Sequence, residues 1–193
     1  MTMLRTLRFG FLFSLLSAAV ASCISPPDFP DTPSIEFKEM TVARKPAPAG
    51  YIPQDTITIV VKFKDGDGDL GLNESEYTRP PYQRDGGNGT VNLNHYNYFC
   101  KLFVKNANGQ FVERTTRVNG VPFDPTGYYG QFPHLEPNPD KKAPLQGDLR
   151  FGVVFTLGDI LLPDDEVRFE ITIKDRALNT SNTVVTNSYK VTL

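Results

Sequence analysis

The sequence predicts an all-β protein, an antiparallel β-sandwich with long loop insertions. Three observations carry this. Apolar and polar residues alternate with period two in several windows. The cleanest sets Val167, Phe169, Ile171 and Ile173 against Arg168, Glu170, Thr172 and Lys174. The 193 residues include 16 Pro, 15 Gly and no Trp, a balance that favours strands and turns. No window shows an apolar helical stripe with caps at its ends. About seven half-buried strands must cover their apolar faces against one another, and two packed sheets do this.

The N-terminus reads as an export signal, not as part of the fold. Arg5 and Arg8 precede an uncharged apolar run from Phe9 to Val20, and the small residues Ala21 and Ser22 lead to Cys23. The run falls short of the ~20 apolar residues that span a bilayer. Val20-Ala21-Ser22-Cys23 resembles the lipobox of bacterial lipoproteins, and the resemblance covers residues 1–23. It implies that residues 1–22 are removed, that the Cys23 thiol carries a diacylglycerol and that its new amino group is acylated, for example by palmitate. More than one chain makes a stable anchor, so the expected place is the cell envelope, attached to the outer membrane by lipid. No charged sorting cluster follows Cys23, so the face of the membrane stays open. Residues 23–34 then form a tether. Pro26, Pro27, Pro30 and Pro33 favour extended polyproline II, which reaches about 3.1 Å per residue.

The sandwich is expected over residues 35–193. Ile35 to Val42 is the first strand, and Ile57, Ile59, Val61 and Phe63 mark the inner face of the second. Tyr98, Cys100, Leu102 and Val104 share one face of the third. Asn106 to Gly109 turns it into a hairpin with Gln110 to Arg117. Leu149 to Leu157 and Val167 to Ile173 follow, and a single last strand is expected from Val184 to Leu193. Gly71–His95 and Asn119–Gly147 carry little strand signal and read as surface excursions, a length at which loops are often functional. With Cys23 lipidated, Cys100 has no partner in the chain, which excludes a disulfide scaffold. It reads as a buried free thiol.

The second strand runs into Asp65-Gly66-Asp67-Gly68-Asp69. Carboxylates at spacing two, separated by glycines, can turn inward around one hard cation. Calcium takes such oxygen donors, and glycine permits the tight wrap. An EF-hand is excluded. Its sixth loop position should be Gly but is Leu70, and Arg79-Pro80-Pro81 follows where a helix should begin. An Asp-Gly turn with solvated carboxylates is the plain alternative. The strand ending at Lys174 runs into Asp175-Arg176-Ala177-Leu178-Asn179, which resembles the same place in bacterial Ig-like and cadherin-like domains. That resemblance implies an Ig-like sandwich with both loops at one end. It also implies that Asp175 and Asn179 complete a calcium site begun by Asp65, Asp67 and Asp69. Asp164, Asp165 and Glu166 are expected to form a solvated acidic turn.

Tyr128, Tyr129 and Phe132 on the second excursion are candidates for stacking on a glycan or anchoring a protein partner. The competing reading is that they pin the loop to its own domain. No H-E-x-x-H, G-x-S-x-G, P-loop or dinucleotide motif is present, and no basic patch points to nucleic acid. The expectation is a non-enzymatic, membrane-anchored binding or structural accessory. The alternatives are a glycan-binding accessory of an envelope uptake complex, or a secreted hydrolase or inhibitor without a recognisable motif.

Overall fold

The computed structural model describes residues 27–45, 47–48, 52–138 and 141–192. The lipobox and Cys23 lie outside these residues. The strands are β1 (Ser34–Lys45), β2 (Gln54–Asp65), β3 (Tyr98–Lys105), β4 (Phe111–Glu113), β5 (Leu145–Thr156), β6 (Glu166–Ile173), β7 (Val184–Val185) and β8 (Tyr189–Lys190). One sheet has the order β1-β2-β5. The other runs β4-β3-β6-β7, with β8 also on β6, and all pairs are antiparallel. With β1, β2 and β5 as A, B and E, and β3, β6 and β7/β8 as C, F and G, this is the strand order of an Ig-like sandwich.

Period-two alternation builds the core directly. Ile57, Ile59 and Val61 of β2 are fully buried and join Tyr98, Cys100 and Leu102 of β3 and Phe169, Ile171 and Ile173 of β6 in one cluster. Aromatic rings tie the sheets together. Tyr98 stacks on Phe151 at 4.2 Å, and Phe155 lies 4.6 Å from Tyr128 and 5.7 Å from Phe169. Each large buried side chain removes apolar area from water worth about 2 kcal/mol. At the start of β2, the fully buried Asp55 accepts two hydrogen bonds from Arg44 (2.7 and 2.8 Å) and one from Tyr189 (2.8 Å). These bonds, Arg44 first, hold its carboxyl below the usual range.

The last strand differs from expectation. It is split into β7 and β8, because Thr186 puts its hydroxyl into the ladder. Phe169 N–H donates to Thr186 Oγ1 at 3.0 Å, while Thr186 N–H donates to the Phe169 carbonyl at 2.9 Å. The hairpin after Asn106 is present, but β4 is only three residues long. The Asp164–Glu166 turn is solvated at Asp164, whose side chain is 84% exposed, and forms ion pairs along its length. Asp165 accepts from Leu162 N–H at 2.8 Å and from Arg114 at 3.2 Å, Lys105 holds Glu166 at 2.9 Å, and Lys190 holds Asp164 at 2.9 Å. A single helical turn, α1 (Glu74–Tyr77), stands in the first excursion, closed by a capping box between Asn73 and Glu76.

Candidate metal centre

The alternation that fills the core also aims two acids inward. On β2 the inward series Ile57, Ile59, Val61, Phe63 continues to Asp65, which is fully buried. On β6 the series Phe169, Ile171, Ile173 continues one step past the strand to Asp175, 4% exposed. Both acids thus arrive at the same end of the sandwich, one from each sheet. Carboxylate oxygens of Asp65, Asp69 and Asp175 lie within 4.8 Å of one another.

Backbone hydrogen bonds stitch the two loops together. Gly68 (φ +72°) and Gly71 (φ +94°) supply left-handed backbone that coils the first loop. Asp69 N–H donates to Asp65 Oδ2 at 3.0 Å, closing that loop on its own carboxylate. Asp69 in turn accepts from the second loop, through its carbonyl from Arg176 N–H (3.1 Å) and through Oδ2 from Ala177 N–H (3.0 Å). Asn179 donates to both oxygens of Asp175, from its backbone at 2.7 Å and its side chain at 2.9 Å. The structure therefore makes Asn179 the clamp that orients Asp175. Asp67 lies at the rim, its side chain 11% exposed and its Oδ2 2.7 Å from Lys142 Nζ.

The remaining oxygens are the informative ones. Oδ1 of Asp65, of Asp67 and of Asp69 are all buried, and none has a hydrogen-bond partner. A buried carboxylate oxygen without a partner is costly, and the cost multiplies when three stand in one loop. Burial above all, and then the charges of Asp69, Asp67 and Asp175, push the Asp65 carboxyl up to about 7. Burial, then Asp175 and Asp67, push Asp69 up to about 6, against the pull of Arg176. Burial also raises Asp175, opposed by its bonds to Asn179.

A hard cation fits this donor set. Every candidate ligand is an oxygen, which suits calcium or magnesium and not the thiolate- and imidazole-seeking metals. Calcium–oxygen bonds are about 2.4 Å, so oxygens on opposite sides of one ion stand about 4.8 Å apart. The three carboxylates, within 4.8 Å of one another, are close enough to share one such ion.

Several supporting residues carry no signal in the sequence. Arg176 donates toward the Leu70 and Gly71 carbonyls and pairs with Glu136. His134 lies between Glu76 (2.7 Å) and Glu136 (3.6 Å), and the Tyr82 hydroxyl donates to the Arg176 carbonyl. Asn97, 2% exposed, donates to the Phe132 carbonyl and accepts from Phe132 N–H, both at 2.9 Å. The same Phe132 carbonyl accepts from Leu72 N–H at 3.0 Å. Both long excursions thus fold back over the acidic end. Of these residues Glu76 alone carries a local sequence signal, the Asn73-x-x-Glu76 capping box of α1.

The aromatic candidates separate. Phe132 is 6% exposed within the core cluster, so it has no face to offer a ligand. Tyr128 packs on Phe155 and Phe123, with its hydroxyl raised to about 12 by burial. Tyr129 is half-buried with edge contacts to Tyr96 (5.6 Å) and Phe99 (5.1 Å). In this arrangement all three hold the excursion on the domain.

No family model, curated protein or solved structure matches this chain.

Proposed function

We propose that the protein is a lipid-anchored β-sandwich of the cell envelope that acts as a binding or structural accessory, with one end held closed by a calcium ion. Asp65, Asp67, Asp69 and Asp175 supply the carboxylates, and Asn179 orients the last of them. The observation that carries the cation is the set of buried, unpartnered Oδ1 atoms on Asp65, Asp67 and Asp69. A divalent ion supplies the charge and the coordination that these oxygens lack. Lipid attachment rests on the sequence Val20-Ala21-Ser22-Cys23. An anchored accessory, not an enzyme, is the role that fits a rigid frame whose sequence lacks any nucleophile–base motif.

The test has two arms. Wild-type protein should sediment with membranes and a Cys23→Ser variant should not. Calcium should raise the melting temperature of the wild type and leave an Asp69→Asn variant unmoved. A soluble wild type, or equal melting with calcium and with chelator, refutes the corresponding half.

A further inference from the structure

The tether docks on the acidic loop. Gly66, between Asp65 and Asp67, donates its N–H to the Pro30 carbonyl at 2.9 Å. A Cβ at Gly66 would overlap the Phe29 carbonyl, so only glycine allows the two backbones to approach this closely. Lys64 Nζ stands 5.8 Å from the Phe29 ring centroid, within cation–π range. Pro33 is buried just before β1 begins. The end of the tether nearest the domain is therefore part of the fold from Phe29 onward. On the other flank of the loop, Ala143 N–H donates to the Asp67 carbonyl at 3.3 Å, and Lys142 holds the Asp67 carboxylate.

We propose that the acidic site and the tether form one coupled device, in which a bound calcium ion locks Phe29–Pro30 onto the Gly66 loop and so fixes how the domain leaves its anchor. This rests on the reading of the acidic end as a calcium site. The physical link is short. Gly66 sits directly between Asp65 and Asp67, so a shift of the Asp65 backbone is passed to the N–H that holds Pro30. Calcium pulls the Asp65 carboxylate toward those of Asp69 and Asp175 and holds the loop in the conformation whose N–H faces Pro30. Without calcium, mutual repulsion of the acids loosens the loop, and the hydrogen bond to the tether is lost with it. Linkage requires reciprocity: if calcium strengthens tether docking, docking strengthens calcium binding by the same factor.

Hydrogen–deuterium exchange on the full chain, with calcium or with chelator, reads the device directly, and calorimetric titration with calcium runs beside it. The Gly66 amide and the peptide over Phe29–Ile35 should exchange more slowly with calcium in the wild type, and at equal rates in Asp69→Asn. Phe29→Ala changes no carboxylate, yet it should weaken calcium binding by about tenfold, within the usual range of coupling between sites. Calcium binding with unchanged exchange over the tether, or a Phe29→Ala variant that binds like the wild type, overturns the coupling and leaves the calcium site standing. No calcium heat in the wild type overturns both.

Discussion

Asp65 and Asp175 bring carboxylate oxygens within 4.8 Å of each other from opposite sheets, Asp65 ending β2 and Asp175 following β6. Two buried acids at this distance repel unless a proton or a cation stands between them. The end of the sandwich is thus a clasp whose strength depends on what neutralises it. A cation there joins the two sheets beside Leu70, which bridges to Asp175 and is itself buried in the core.

The first consequence is a dependence on pH opposite to that of ordinary paired carboxylates. Burial and the neighbouring carboxylates push Asp65 up to about 7 and Asp69 up to about 6 in the folded chain, against about 4 in the unfolded one. The folded state holds the extra protons between these values. Their contribution is fully present below about pH 4 and is lost as pH rises to about 7. The facing charges are Asp67, Asp175, Arg176 and Lys142. Asp55 works the other way on the acid side, since its lowered value makes its contribution fade as pH falls. With chelator present, the melting temperature should drop by about 5 °C between about pH 5 and about pH 8. With calcium the drop should vanish. A melting temperature that rises over this range with chelator contradicts the clasp.

Replacing Asp65 by Asn keeps the shape and removes the buried charge. At alkaline pH with chelator, Asp65→Asn should be more stable than wild type by about 1–2 kcal/mol, because an uncompensated charge has gone from the interior. With excess calcium the order should reverse, since only the wild type gains the binding term, about 2.7 kcal/mol at a hundredfold excess over Kd. Denaturant titrations in the two conditions measure this crossing.

Asn97 holds Phe132 by two hydrogen bonds inside the domain. Asn97→Ala leaves a buried N–H without a partner and should cost about 2–3 kcal/mol. It should also weaken calcium binding although it alters no ligand, because Leu72, just after the acidic loop, hangs on the same Phe132 carbonyl. Unfolding curves and calorimetry on one preparation separate the two effects.

Cys100 is 1% exposed, and burial pushes its thiol up to about 12. It should resist an aromatic disulfide reagent in the native state and react at the rate of unfolding. Fast native labelling would mean that β3 is not packed as described.

The strands were legible because each carries its own period. Val167 to Ile173 needs only alternation to be placed, and the same parity extended by one step aims Asp175 at the core. The meeting of the Asp65 and Asp175 loops was legible through likeness to Ig-like ends. What the sequence hides is the work of the excursions. Asn97, Arg176, His134 and Glu136 act through partners far along the chain, and no local pattern marks an Asn whose two bonds go to Phe132. Phe132 could be read as a ligand contact or as a pin for its own loop, because a single aromatic between Gln131 and Pro133 has no period to reveal that it points into the core. The break between β7 and β8 was hidden for a related reason, since a Thr hydroxyl that enters the ladder looks like any strand Thr.

The most direct test is calorimetric titration of the chelator-stripped full chain with calcium near neutral pH, in two buffers of different ionisation enthalpy. One site per chain is expected. The heat should depend on the buffer, because Asp65 must give up its fractional proton as the ion enters, and Asp65→Asn and Asp69→Asn should bind far more weakly or not at all. No heat in the wild type, or binding that survives unchanged in both variants, contradicts the account.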